Sequence, residues 1–486
     1  MTLITTTQEQ FKNQITAAQS AYEASRQTSP QQRAEWLNTI AKALGNHADE
    51  LIELAQKETH LDIARLQGEM KRTIFQLQLF AKEIQYGPHF EATIDHADPN
   101  WGMGARPDIR RMNVALGVVG VFGASNFPFA FSVIGGDSAS ALAAGCAVIH
   151  KVHDAHLTLG LRTGEVVVEA LKKAGAPEGL FSVINGREAA EALVDHPLVQ
   201  AIGFTGSLAG GRALYDRASR RAKPIPFFGE LGSINPVFVT EKAWKTRQND
   251  ILIGYATAAT MGMGQFCTKP GLLFVPQFDK NVVVPVLQKE FSGKKFAPLL
   301  SPNLRKGFEA ALSKVSSLTN VEILIEGNGA ESPSPTILTT TVSAIKAEPE
   351  ILELEMFGPA SVMVQYENED ELAEIVALLE GQLTCTLQAE ADENLGYFID
   401  AVHEKCGRIL WNGWPTGVTV SYAQHHGGPY PSTTSSARTS VGTGAIGRFM
   451  RAVAYQTFPD AMLPPALQEN NPWKIIRRIN GLWVNP

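Results

Sequence analysis

From Val114 onwards, short apolar runs alternate with stretches of helical period, and this alternation constrains the fold more than any other feature of the chain. VALGVVGVFG is followed by helical SASALAAG, then CAVIHKV, then a helix from His156 to Ala174, and FSVI, VQAIGF and NPVFV continue the series. Strands alternating with helices of this length predict βαβ units and a parallel sheet. A second series begins after Asn235: helical ILIGYATAAT, strand LLFV, helical VVVPVLQKEF, then SVMVQY, TCTLQA and RILWN. It predicts a second α/β domain. Ahead of both, the first 86 residues read as helices, with Phe11, Ile15, Ala18 and Tyr22, then Trp36, Ile40 and Leu44, then Ile74, Leu77 and Phe80 on helical faces. Residues 87 to 111 exchange that pattern for Gly, Pro, His and Asp and predict a loop or hairpin arm. The tail, rich in Pro, Trp and Arg, has no clear period and is expected to pack on a partner or on another domain.

A chain of 486 residues exceeds one compact core, so two or three domains are expected. Its net charge of −7, from 42 basic and 49 acidic residues, comes without a basic stripe, which argues against nucleic acid as the main partner. The four cysteines form neither a disulfide ladder nor a CxxC pair, and MTLITTTQEQFKNQ lacks the regions of a secretory signal. A cytoplasmic protein is expected. The uncharged stretch Met112–Gly136 is long enough to span a bilayer, but Asn126, Pro128 and repeated glycine interrupt it. A strand, a loop and a helix start describe it better.

Six stretches carry side chains suited to chemistry. Cys267, in GMGQFCTKPG, follows a helical stretch and stands among glycines; a thiol there can act as a nucleophile if Lys269 and the loop amides lower its pKa. Glu230, in FFGELGSINP, ends an apolar run, where desolvation can raise a carboxyl pKa and make it a general base. Asn126, in GASNFPFAF, precedes Pro128 and can offer a fixed amide to an oxyanion. In VQAIGFTGSLAGG, Gly206, Ser207 and Gly211 open a helix able to receive a pyrophosphate, although the spacing is not GxGxxG. Lys151 leaves a strand end in IHKVHDAH, where nucleotides bind in open parallel sheets, and Glu355 and Phe357 precede a Gly-Pro turn in LELEMFGPA. Taken singly, each has an ordinary reading as turn, solvated acid or core. Cys146, Cys385 and Cys406 read as core residues, and the adjacent His425 and His426 do not have metal-ligand spacing, so no metal is expected.

The ordered set NFP, strand-end Lys, FTGS, GELG, GQFCTKPG and EMFGP resembles the aldehyde dehydrogenase superfamily over nearly the whole chain. HGGPYPSTTSSARTSVGT is similar to the branch holding 2,5-dioxopentanoate dehydrogenases and bacterial long-chain aldehyde dehydrogenases. The resemblance implies an α/β protein: a Rossmann-like dinucleotide-binding domain over residues 1–234 with an oligomerisation arm at about 92–112, a catalytic α/β domain over 235–428, and a return to the first domain with an oligomerisation tail over 429–486. It implies a homodimer or homotetramer.

By the same resemblance, Cys267 is the nucleophile, Glu230 the base for the deacylating water, and Asn126 the oxyanion donor. Lys151 and Glu355 contact the two riboses, Ser207 the pyrophosphate, and Phe357 borders the nicotinamide. The cofactor is NAD or NADP. Asp154 tips the expectation toward NAD because a carboxylate repels a 2′-phosphate; a protonated His153 would soften this. The aldehyde is a short oxo-acid semialdehyde or a long aliphatic chain. Phe129, Phe131, Trp414 and Tyr430 are expected to line the pocket, and Arg438 to clamp a carboxylate. Two other classes fit less well: a thiol hydrolase, which needs an orienting His, and a binding protein, which need not keep both Cys267 and Glu230.

Overall fold

The computed structural model describes residues 5–329 and 331–486. Four helices open the chain: α1 (Gln8–Ser25), α2 (Pro30–Asn46), α3 (Ala48–Thr59) and α4 (Ile63–Tyr86). Thr7 and Ser29 each close a capping box, and Asp62 caps α4 by accepting from the amides of Ala64 and Arg65. Helix α4 stops at Gly87, whose left-handed backbone (φ 89°) ends the helix at no side-chain cost. Next come β1 (Thr93–Asp95) and β2 (Ile109–Ala115).

The first βαβ series supplies β3 (Val118–Phe122), β4 (Ala147–Lys151), β5 (Phe181–Ile184), β6 (Val199–Thr205) and β7 (Phe227–Glu230), with α5 (Gly136–Ala144), α6 (Leu157–Lys173), α7 (Arg187–Asp195) and α8 (Leu208–Ser219) between them. These strands form an all-parallel sheet in the order β5-β4-β3-β6-β7. Strand order therefore reverses between β3 and β6, which opens a crevice at their carboxyl ends. The second series gives β8 (Val237–Val239), α9 (Glu241–Thr260), β9 (Leu272–Pro276), α10 (Lys280–Phe291), β10 (Glu322–Ile325), β11 (Thr336–Thr341), β12 (Ala360–Tyr366), β13 (Gln382–Gln388) and β14 (Cys406–Trp411). Its sheet runs β10-β11-β12-β9-β8-β13-β14, with only the β10 edge antiparallel. A mixed α/β fold built on parallel sheets results.

Two expectations need correction. VALGVVGVFG is not one strand. Val114 and Ala115 end β2, Gly117 turns the chain at φ +137°, and β3 starts in a different sheet. The tail is also more regular than its composition suggests: β15 (Met450–Gln456) pairs along the whole of β2, β16 (Arg477–Ile479) pairs with β1, and β17 (Leu482–Val484) follows it. Partners hundreds of residues away supply β15 and β16, and β17 is a three-residue return on β16, so no local period announces them. The segment Met112–Gly136 is split among β2, β3, a loop and the first residue of α5. No described helix is long and apolar enough to cross a membrane. Cys146, Cys385 and Cys406 are buried, as expected.

Candidate active site

Cys267 lies in the loop between α9 and β9, and the loop's shape explains its glycines. Gly262, Met263 and Gly264 all adopt left-handed backbone (φ 57°, 60° and 65°). A Cβ on Gly264 would fall 2.1 Å from the Gly358 carbonyl oxygen, so only glycine lets this loop press against the EMFGP turn. Lys269 then ties the two together. Its buried ammonium donates to the carbonyls of Met356, Gly358 (3.2 Å) and Ala360 (2.6 Å). Burial lowers Lys269 to a pKa of about 8. Its protons are committed to these carbonyls, so it fastens the loop instead of activating the thiol. From the other side, Asn235 Nδ2 donates to the carbonyls of Cys267 (2.8 Å) and Lys269 (3.0 Å). Asn126 Nδ2 donates to the Gln265 carbonyl at 2.9 Å. One of its two amide protons is thereby spent, and the other remains for a ligand.

Glu230 ends β7 and meets Cys267 through His426, one of the two adjacent histidines. His426 Nε2 lies 2.9 Å from Glu230 Oε1 and 3.7 Å from Cys267 Sγ. Ser440 donates to the other carboxylate oxygen at 2.9 Å. The HGGPYPSTTSSARTSV segment folds back on itself to place them: the His426 amide donates to Thr439 Oγ1, and the Ser440 amide donates to the His426 carbonyl. Because His426 is separated from Cys267 by 159 residues and from Glu230 by 196, no local spacing signals the cluster.

The electrostatics differ from the expectation for Glu230. Burial alone would raise its pKa, but the His426 charge and hydrogen bonds from His426, Ser440 and Cys267 outweigh it and hold the carboxyl below its usual range. For Cys267, burial, the Glu230 charge and a hydrogen bond to Glu230 push the thiol well above its usual range, opposed only by Arg408. The resting pair is thus a thiol beside a carboxylate. The single Nε2 faces both groups, so it can donate to Glu230 or accept from the thiol, but not both at once. The arrangement can pass the Cys267 proton to its neighbours as the sulfur attacks. The ligand atoms of Cys267, His426 and Glu230 also lie within 4.8 Å of one another, close enough to hold one metal ion.

A groove of about 740 Å³ opens at the carboxyl ends of β3, β4 and β6, lined by Phe122, Lys151, Asp154, Phe204 and the face of α8. Ser207 caps α8, its hydroxyl accepting from the Gly210 amide at 3.3 Å. Gly206 and Gly211 serve packing: a Cβ on either would strike the Phe204 ring, and on Gly211 also Leu231. Lys151 donates to Asp154 at 2.8 Å. Glu355 and Phe357 are half-buried on the EMFGP turn. Burial raises the Glu355 carboxyl to about 7 against the pull of Lys269, and its Oε2 lies 2.8 Å from where a Gly232 Cβ would be. A groove at the strand-order switch, with Phe122 and Phe204 in its wall, Lys151 at a strand end and α8 along one side, suits a dinucleotide.

A second chamber of about 200 Å³ reaches Cys267 from the side of α4. Phe127, Phe131 and Phe266 line it with Arg65 and Arg72. The expected pocket residues are only partly there. Phe131 is in the wall, but Phe129, two residues earlier in the same turn, is buried in the main core and its amide is bound by Glu69. Trp414 packs against Tyr255, and exposed Tyr430 accepts a hydrogen bond from Arg212. Arg438 is exposed and faces a small cleft beside Glu230 and Ser440, away from the chamber, so the expected clamp is misplaced.

The profile of the aldehyde dehydrogenase family matches residues 1–451. Alpha-ketoglutaric semialdehyde dehydrogenase 2 of Azospirillum brasilense is 43% identical over 96% of this chain and 90% of its own. Alpha-ketoglutaric semialdehyde dehydrogenase of Acinetobacter baylyi is 40% identical with the same coverage. Among solved structures, glyceraldehyde-3-phosphate dehydrogenase from Methanocaldococcus jannaschii, complexed with NADP, superposes with a TM-score of 0.79 at 18% identity over 94% of this chain and 95% of that one. The NAD-dependent aldehyde dehydrogenase from Sinorhizobium meliloti gives 0.76 at 20% identity over 93% and 88%. The chain belongs to the aldehyde dehydrogenase family and is an NAD(P)-dependent oxidoreductase that converts an aldehyde to the acid.

Proposed function

We propose that this chain oxidises 2,5-dioxopentanoate to 2-oxoglutarate, with NAD as the preferred cofactor. The observation that carries the chemistry is the convergence of Cys267, His426 and Glu230 beside a chamber lined by two arginines. The names of the two relatives above 40% or at it supply the substrate. The thiol gives its proton to His426 and attacks the aldehyde carbon, forming a thiohemiacetal whose oxyanion is met by the free Asn126 proton. A dinucleotide in the groove would supply the acceptor for the hydride that the thiohemiacetal carbon loses, and that loss leaves Cys267 as a thioester. Glu230 then removes a proton from water, whose oxygen attacks the thioester carbonyl, and the departing Cys267 sulfur takes back its proton from His426. Residues 1–234 hold the groove, 235–428 present Cys267, and the tail returns His426's neighbours to the first unit. Arm-tip residues Trp101 and Met103, both exposed, and the β15 edge are where a homodimer or homotetramer would form.

An aldehyde panel assayed with both dinucleotides, followed by nicotinamide absorbance, tests the reading. Catalytic efficiency is expected to be highest for 2,5-dioxopentanoate; a preference for decanal rejects it.

Cofactor choice rests on Lys151 and Asp154. Lys151 is claimed by Asp154, so a 2′-phosphate would meet a carboxylate already paired with the nearest cation. His153 does not soften this, because burial and neighbouring cations lower its pKa to about 3 and keep it neutral. The Asp154 side chain is 75% exposed, so screening limits the repulsion to about 1 kcal/mol. Asp154→Ala is expected to raise efficiency with NADP by about fivefold while leaving NAD nearly unchanged. An unaltered NADP-to-NAD ratio would remove Asp154 from cofactor selection.

A further inference from the structure

We propose that Arg72 is the carboxylate clamp of the substrate chamber, with Arg65 supplying a second positive charge to the same space. The proposal rests on the oxo-acid reading above and names the groups that would recognise that acid. Arg65, Glu69 and Arg72 stand at i, i+4 and i+7 on α4, so their side chains share one helical face. That face fronts the chamber that reaches Cys267.

Both guanidiniums are held in place, yet both keep unused protons. Arg72 lies over the Phe131 ring at 4.9 Å and donates from Nε to the Val418 carbonyl at 3.2 Å. Its two Nη atoms are buried and have no partner. Arg65 sits between the rings of Phe127 (5.0 Å) and Phe266 (4.8 Å) and donates from Nη2 to the Asn126 carbonyl at 2.5 Å. Its Nε and Nη1 are buried and unpartnered. Among the described residues, no carboxylate lies within ion-pair distance of either. Glu69, between them, spends Oε1 on the amides of Phe129 (2.7 Å) and Ala130 (2.9 Å).

A buried guanidinium with two parallel N–H groups free is complementary to a carboxylate. Aromatic rings below it fix its plane, so little side-chain freedom is lost on binding. Arg72 and Cys267 line the same chamber, which places the clamp and the sulfur in one small space. At about 200 Å³ the chamber has room for a short oxo acid. An alkyl aldehyde would leave both cations desolvated and unpaired.

The test compares catalytic efficiency on 2,5-dioxopentanoate, succinic semialdehyde and neutral pentanal in wild type, Arg72→Gln, Arg72→Lys and Arg65→Gln. Wild type should prefer both acids to pentanal by about 100-fold or more, and Arg72→Gln should reduce that preference to within about fivefold. Arg72→Lys, which keeps the charge and loses the fork, should fall between. Arg65→Gln should weaken all three substrates, because Arg65 also holds the Asn126 loop. Equilibrium binding of 2-oxoglutarate, which requires no turnover, should weaken in parallel in Arg72→Gln. Retention of the acid preference in Arg72→Gln overturns the clamp while leaving the oxo-acid reading intact. An equal loss on acids and pentanal also overturns it, by showing a structural role. A wild type that prefers pentanal rejects the oxo-acid reading itself.

Discussion

Cys267→Ala is expected to abolish dehydrogenase turnover, a loss on the order of 10⁵-fold, while dinucleotide affinity stays within about twofold. A hydride cannot leave a trigonal aldehyde carbon, because that carbon has no electron pair with which to expel it. Addition of the sulfur makes the carbon tetrahedral and leaves an oxyanion that can. Alanine offers no substitute, and the buried loop admits no second nucleophile: Thr268 and Lys269 are both buried, and Lys269 is held by three carbonyls. Dinucleotide binding should survive because the groove at Lys151 and Ser207 is formed by β3, β4, β6 and α8, whereas the sulfur sits on the loop after α9. Steady-state rates and a dinucleotide titration check both halves. Turnover within tenfold of wild type would remove the thiol from the reaction.

How much of this site could be read from the sequence depended on whether a residue's role is written into its neighbours. Asn126, Glu230 and Cys267 each stand in a short stretch whose order along the chain is informative, and the fold brings Glu230 and Cys267 into one cluster. His426 was visible only as half of a histidine pair. Its importance comes from a contact 159 residues away, and periodicity cannot report such contacts. Arg65 and Arg72 were hidden for a related reason. On an amphipathic helix a pair of arginines reads as a solvated face, and only the packing of Phe127, Phe131 and Phe266 turns that face inward. Phe129 failed for a local reason: the Phe131 amide donates to the Phe127 carbonyl in a single helical turn, which sets Phe127 and Phe131 together on the chamber side and Phe129, between them, in the core. The same distance argument covers the fold. The βαβ order was legible because each unit is local, while β15 and β16 depend on β2 and β1, far earlier in the chain, and β17 only pairs back on β16.

Glu230→Gln should separate the two halves of the reaction and change the thiol in the opposite sense. Loss of the base for water should slow deacylation by about 10³-fold, so that a rapid burst of reduced nicotinamide precedes a poor steady state. The sign of the thiol effect follows from the charges. Burial raises the Cys267 pKa first, and the Glu230 charge and hydrogen bond raise it further by favouring the protonated form. A neutral glutamine removes that charge, so the thiol pKa should fall, and the thiolate fraction at any pH below it should rise. Alkylation of Cys267 by iodoacetamide, followed against pH without substrate, should therefore move to lower pH in Glu230→Gln. His426→Asn should move it the other way, because it removes the imidazole beside the sulfur and leaves the carboxylate facing the thiol. A structural collapse around Glu230 would slow the burst, the steady state and alkylation together, whereas the base role leaves the burst and speeds alkylation. Disappearance of the burst with survival of thioester hydrolysis would show that Glu230 serves acylation, and would assign the water to His426.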